Sequence, residues 1–465
     1  MNLDDLQSLI NLVTTKNVKY ADIRYEQVFT TSISIKRTKN NKTEAIINPS
    51  TIKGISTRTL IENSWGFSHT SLTYKKNMEK LIQESIKIAK ATSKYKKERI
   101  ELSDAKRIQG KYALNVKKEF YNIPINEKIE LLRKTTEIAF EASKNVIKVE
   151  IDYEDNVKRK LLVSTDNVKA EMLRSDYTIR IKTIAKENEK ITETIKRIGG
   201  VGGWEKITFK ELEEKTIEGA KEAENLLKAK KPPAGKMTVI LSPQIAGTLI
   251  HEALGHAMEA DIVAAGFSIL ANKINSKVGS ELVTIVDDPT IEAYGLYWFD
   301  DDGTPAQKTI LVEKGMLKTF MHNRETAWKL KAQPTSNSYA VSYEYLPIVR
   351  QTNIMLMPRD WTLEEMIEDI KSGLLIGSSS GGTAATSIGT FQFGFQYAHL
   401  IENGEIKEMT KGSSIAGSML DALKNVDALG KKVEIIPGAC GKDGQYMNQG
   451  RIMPYVRLKE ILIGG

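Results

Sequence analysis

Between residues 251 and 256 the chain reads His-Glu-Ala-Leu-Gly-His, so two imidazoles and a carboxylate fall within a six-residue stretch. Two histidines on one helical segment with an adjacent glutamate can hold a zinc ion and supply a general base for hydrolysis. In the familiar form of this motif the histidines are four residues apart; His251 and His256 are five apart. At about 100° per residue the extra residue widens their separation from about 40° to about 140°. A regular α-helix would aim them at different faces. Two devices restore convergence: a π-bulge that absorbs one residue, or a stop or kink at Gly255 just before His256. Either predicts an irregular helix between Leu254 and Met258. The small residues Ala246, Gly247, Ala253, Gly255 and Ala257 let this helix be packed closely, and Glu252, on an otherwise apolar helix, needs a polar partner.

A catalytic zinc takes three protein ligands and keeps one position open for water. With His251 and His256 assigned, the third ligand comes from Glu259, Asp261 or Cys440. Cys440 is the only cysteine, which excludes an intrachain disulfide. It lies in IIPGACGKDGQ, where flanking glycines free the backbone to bring a thiolate against another element, and this setting favours a ligand over a packed core thiol. Thiolate suits zinc, with Fe2+ second. The chemistry expected is hydrolysis by a metal-activated water, with Glu252 taking the proton and passing it to the leaving amine.

The elements that must position these residues follow from local pattern. TVIL (238–241) reads as a short buried strand, and Ser242-Pro243 behind it suits a helix start, since Ser caps and Pro fits the first helical position. Upstream, KAKKPPAGK breaks any helix because Pro232 and Pro233 lack amide donors, and it is the clearest domain boundary. Three units are expected: an N-terminal α+β domain over 1–120, a middle α+β domain over 121–231 and a β-rich catalytic domain over 236–465. Apolar spacing predicts helices at the N-terminus (Leu3, Leu6, Leu9, Ile10, Val13), over 76–93, near 126–144 and over 209–229. The last unit carries short β-type runs such as LVTIVDD, NIMLM, FQFGFQYAHLIENGEIK and KKVEIIPGAC. The fold class is therefore α+β, with N-terminal α/β-type domains followed by a β-rich domain containing the metal helix.

Composition narrows the function. Hydrophobic content of 41% and charged content of 27% are those of a soluble globular chain. No run of 18 apolar residues is present, so no membrane role is expected. The acids at Asp4 and Asp5 and the lack of a basic leader argue for a cytoplasmic protein. The net charge of +8 comes from lysines interleaved with glutamates, and the short clusters at 94–99 and 228–231 lack stacking aromatics; a solvated surface is expected and no nucleic-acid partner. The glycines of GGVGGWE (199–205) have no phosphate-loop lysine and read as a turn or close strand approach. His69, His322 and His399 are scattered, and no nucleophile elbow surrounds Ser378 to Ser380.

Taken together, HEALGHAMEAD (251–261), DDDGTPAQ (300–307), YEYLPIVRQTNI (343–354), IGSSSGGTAATSIGTFQFGF (376–395) and PGACGKDGQ (437–445) resemble the TldD/PmbA peptidase family, specifically its TldD branch. The likeness extends upstream to 52–70 and so covers nearly the whole chain. It implies a zinc peptidase with His251, His256 and Cys440 as ligands and Glu252 as base. It also implies a homodimer, or a heterodimer with a TldE/PmbA-like paralogue that lacks the metal motif, acting on unstructured peptides inside an enclosed site. The rival reading is a non-catalytic, metal-containing binding or regulatory subunit of such a heterodimer.

Overall fold

A computed structural model describes residues 1–13, 18–96 and 98–464; Lys97, inside the basic cluster at 94–99, lies outside them. In chain order the first half contains α1 (Leu3–Ile10), β1 (Tyr20–Thr38), β2 (Thr43–Ile61), β3 (Ser64–Thr70), α2 (Lys75–Ser93), β4 (Gln109–Ala113), α3 (Ile125–Ala142), β5 (Val146–Ser164), β6 (Lys169–Glu187), β7 (Lys190–Val201) and α4 (Phe209–Lys228). The helices fall where the apolar spacing places them. The strands of the first two expected units share a sheet: β1 pairs with β5, so one seven-stranded sheet, β3-β2-β1-β5-β6 with β4 and β7 both on β6, runs through both sections.

Side chains alternate between the faces of a strand, and this sheet uses both. Odd positions of β1 and β5 meet the helices. Ile23, Tyr25, Leu161 and Val163 pack with residues of α1 and α2 at one end of the long strands, and Ile33, Ile35, Val149 and Ile151 pack with residues of α3 and α4 at the other. Even positions carry charge and face the second half of the chain. Arg24 Nη1 donates to Asp301 Oδ2 at 2.8 Å, Lys160 also donates to Asp301, and Arg58, directly opposite Asp22, reaches Asp302 Oδ1 at 2.9 Å. All of these groups are buried. Burial pushes the Asp301 carboxyl up, but the charges of Lys160 and Arg24 outweigh it and hold the group well below the ordinary carboxylate range.

The second half supplies β8 (Gly235–Leu241), α5 (Pro243–Thr248), α6 (Ala260–Ala264), β9 (Ile285–Asp287), β10 (Thr309–Glu313), β11 (Met316–Leu317), β12 (Ser338–Tyr339), β13 (Ile348–Val349), β14 (Asn353–Leu356), β15 (Ser372–Ile376), β16 (Ser379–Ala385), β17 (Thr390–Glu402), β18 (Glu405–Ser418), β19 (Val426–Lys442) and β20 (Gln445–Ile463). Eleven of these strands form one sheet, and because β8 pairs with β20 as well as β15, the strands β20-β18-β17-β15-β8 close into a ring. Most pairings are antiparallel; β14 with β20 and β15 with β8 are parallel. The fold is mixed α+β and rich in strand. Its largest apolar cluster joins Leu249, Ile250, Ala253 and Leu254 to Val239, Leu241, Met453 and Val456. The segment bearing the two histidines is thus fixed against the sheet by its apolar side. No described helix is long and apolar enough to cross a membrane.

Candidate metal centre

The local sequence explains how the histidines are aimed. β8 ends at Leu241, Ser242 adopts the extended cap conformation, and Pro243 occupies the first turn of α5. The Ser242 hydroxyl makes no cap bond; it donates to the Gly377 carbonyl, just past the end of β15. α5 lasts only to Thr248. From Leu249 to Gly255 the helix widens into a π-turn, and His256–Met258 tightens into a 3₁₀ turn. The irregularity that the five-residue spacing demands is present and begins earlier than the spacing alone indicates. The backbone N–H of His256 donates to the carbonyl of His251, a five-residue step that stacks one residue over the other. The imidazole centroids are 4.8 Å apart. Gly255 itself is helical (φ −53°, ψ −51°), so it does not end the helix.

Cys440 arrives from β19, opposite Met447 of β20. The turn joining these strands uses Asp443 and Gly444 at positive φ. Arg350, fully buried, clamps it by donating to the carbonyls of Cys440 and of Gln445, the latter at 3.1 Å. The Cys440 sulfur consequently lies 3.3 Å from His256 Nε2. One ligand atom from each of His251, His256 and Cys440 falls within 4.8 Å of the others. Glu252 projects beside them, with carboxylate oxygens 3.7 Å from His251 Nε2 and 3.8 Å from His256 Nε2. A third of its side chain is exposed, whereas His251 is fully buried.

Hydrogen bonds at the far ring atoms set the donor atoms. Gln351 Oε1 lies 2.9 Å from His251 Nδ1, and its amide nitrogen approaches the His251 carbonyl. That orientation makes Nδ1 the protonated nitrogen and leaves Nε2 with a lone pair, buried and without any hydrogen-bond partner. Such an atom is costly unless something electrophilic meets it. Burial first, then the charges of Arg451 and His256, hold His251 well below its ordinary pKa, so the ring is neutral. His256 Nδ1 lies 2.9 Å from Glu259 Oε2. Burial opposes charge on His256, but the Glu259 carboxylate and Cys440 outweigh it and raise its pKa to about 10. Two imidazole nitrogens and a sulfur around one point make a donor set that fits zinc, and a carboxylate and an amide on the outer ring nitrogens are the supports that metal-binding histidines ordinarily have.

The other two acids weighed as ligands have different work. Lys442 binds Glu259 at 3.1 Å and Asp261 at 2.7 Å, and also donates to the Val349 carbonyl at 3.0 Å. Of Asp300 to Asp302, weak candidates as supports for the histidines, Asp301 and Asp302 sit instead in the buried ionic network facing the first sheet, and Asp300 accepts from the backbone of Asp302, Thr304 and Ser338. The supporting residues that motif reading leaves unassigned are Gln351, Arg350 and Glu259. Arg350 and Gln351 belong to YEYLPIVRQTNI, and burying a guanidinium and an amide there was the available signal. A hollow of about 1420 Å³ opens beside α6, lined by Val263, Phe320 and His322 among others, and contains none of the four site residues. The histidines outside the motif take structural places: His322 is buried against Thr326, with its pKa lowered to about 4 by burial, and His399 is partly buried on β17. In GGVGGWE, a Cβ on Gly199 would meet the Tyr177 carbonyl at 2.7 Å, a close strand approach.

Comparison with known proteins decides the family. The sequence matches PmbA/TldA metallopeptidase domain 1 over 21–89, the central domain over 118–230 and the C-terminal domain over 234–465. It is 36% identical over 455 residues to a metalloprotease of Methanocaldococcus jannaschii, covering 97% of each chain. The chain belongs to the PmbA/TldD metallopeptidase family. It is also 28% identical to a zinc metalloprotease TldD homologue of Saccharolobus solfataricus, over 96% of each chain. The fold matches the crystal structure of TldE from Thermococcus kodakarensis with a TM-score of 0.81, at 17% identity, over 99% of this chain and 100% of that one.

Proposed function

We propose that this PmbA/TldD-family chain is an active zinc peptidase whose metal ligands are His251, His256 and Cys440 and whose general base is Glu252. The observation that carries this reading is the meeting of three donor atoms within 4.8 Å, with the Glu252 carboxylate beside both rings. A zinc ion there supplies Lewis acidity toward water and a peptide carbonyl. Glu252, partly exposed toward the cleft, accepts the proton of the attacking water and hands it to the departing amine nitrogen. Gln351 and Glu259 hold the two rings in the tautomers that present Nε2 inward.

Substrate binding through the main chain fits the strands around the helix. β16 pairs only with β17 among the described residues, so it keeps a free edge, and α5 packs against it. An extended peptide laid as an added strand along such an edge is read by backbone hydrogen bonds. Gly381 and Gly382 take positive φ beside a register shift in this strand. This mode suits unstructured peptides of varied sequence. The all-chain likeness to TldE supports pairing with a second copy or with a TldE-like paralogue.

The test is incubation of the zinc-loaded chain, alone and with any paralogous partner, with an unstructured peptide, read by mass spectrometry. Cleavage should appear, stop with a chelator, and be absent from Glu252→Gln with zinc content unchanged. Zinc bound without cleavage in every arm would make the chain a metal-containing regulatory subunit instead.

A further inference from the structure

The face of the β19–β20 hairpin that carries Cys440 holds two more polar side chains with unmet hydrogen-bonding capacity. In the unbroken antiparallel register of 433–442 against 445–454, Cys440 opposes Met447, Gly438 opposes Gln449 and Ile436 opposes Arg451. Opposed residues share a face and alternate residues return to it, so Gln449 and Arg451 lie on the face from which the sulfur meets His256. Gln449 is 1% exposed, yet neither its amide nitrogen nor its oxygen has a partner; the same is true of Arg451 Nε. A primary amide with both ends unmet matches the donor and acceptor of a peptide main chain.

Arg451 is threaded to this place through space left by two glycines. A Cβ on Gly247 of α5 would lie 3.2 Å from its Cδ, and one on Gly438 would lie 3.1 Å from its Nε. At its head, Nη1 makes one long contact, 3.4 Å, to Thr248 Oγ1. It forms no ion pair among the described residues, in contrast to Arg24, Arg58 and Arg457. Glu252 and Cys440 are the groups whose charge attracts it most, and burial still outweighs them and lowers its pKa from the ordinary value. A half-buried guanidinium beside the candidate metal centre without a bound counter-charge is poorly compensated at rest. It becomes favourable when negative charge appears in front of it.

We propose that Arg451 binds the carbonyl oxygen of the peptide bond being cut and stabilises the negative charge that develops on it during attack by water. This rests on the peptidase reading above. Gln449, two residues before it on the same face, holds the adjoining main chain.

The experiment compares zinc-loaded wild type, Arg451→Lys and Arg451→Gln for binding a phosphinic peptide, whose tetrahedral anionic group mimics the attacked carbonyl, against the amide peptide of the same sequence. Calorimetry gives both affinities and metal analysis the zinc content. Arg451→Gln should weaken the phosphinic peptide about 100-fold, and the amide peptide much less, with zinc retained; kcat should fall by about 10²–10³ and KM should change little. Arg451→Lys should recover part of the loss, since it restores charge without the fork. Equal weakening of both ligands, no weakening of either, or a wild type with no preference for the phosphinic peptide overturns the proposal. Failure of the wild type to hold zinc or cut peptide strikes the peptidase reading itself and is seen separately, before any Arg451 variant is compared.

Discussion

Gln351 Oε1 lies 2.0 Å from the point a Cβ on residue 255 would occupy, so Gln351 can reach His251 only because residue 255 is glycine. Gly255→Ala should improve intrinsic helix propensity by up to about 1 kcal/mol and yet weaken zinc binding by about 10–100-fold, because the displaced amide no longer orients His251. Gln351→Leu should lose a similar factor, and the double variant little more than either alone, since both act on one hydrogen bond. Competition with a chromophoric chelator measures all three; additive losses would separate the two residues.

Cys440 is the one proposed donor delivered from outside the histidine helix. Cys440→Ser should leave the fold intact, because the hairpin is clamped by Arg350 through backbone carbonyls rather than through the sulfur. Cobalt-substituted wild type should show a sulfur-to-metal charge-transfer band in the near ultraviolet, and the serine variant should lack it. A band that survives the substitution would remove Cys440 from the ligand set.

The metal-free centre should titrate in a definite direction. His256, with a pKa raised to about 10, holds a proton that zinc must displace. Apparent zinc affinity should therefore rise about tenfold per pH unit between about 7 and 9 and level off above about 10. Because that pKa lies above the unfolded value, the charged ring stabilises the metal-free fold fully below about 6.5, and the contribution is lost as pH rises through about 10. Calorimetric titrations in buffers of different ionisation enthalpy count the released proton; binding without proton release contradicts the assignment.

Asp301 accepts from Arg24, Lys160 and the Ala340 amide at the junction of the two sheets. Asp301→Asn leaves two buried cations under-compensated and should destabilise the chain by about 3–5 kcal/mol. Denaturant unfolding would show it as an earlier transition. Zinc affinity of the folded protein should be unchanged, since none of these groups touches the histidines.

What could be read in the sequence was whatever depends on neighbours along the chain. The apolar spacing of Met78, Leu81, Ile82 and Ile86 marks α2, Ser242-Pro243 marks the start of α5, and the five-residue histidine spacing requires the distorted turn that follows. What depends on distant pairing was not legible. The registry of β1 with β5, which merges two expected units into one sheet, links residues more than 100 positions apart. The reason for Gly255 is the side chain of Gln351, and the reason for Gly247 and Gly438 is Arg451; no local pattern announces any of them. Glu259 was visible as a nearby acid, but its bond to His256 rather than to a metal follows from the 3₁₀ turn that separates them.

The placement of the sulfur on the β19–β20 hairpin also bears on synthesis. The histidine helix leaves the ribosome nearly 190 residues before Cys440, and the turn that aims the thiol closes only when β20 pairs with β19. On the peptidase reading proposed above, a nascent chain completes its first sheet before the third donor can be aimed, so the donor set closes last.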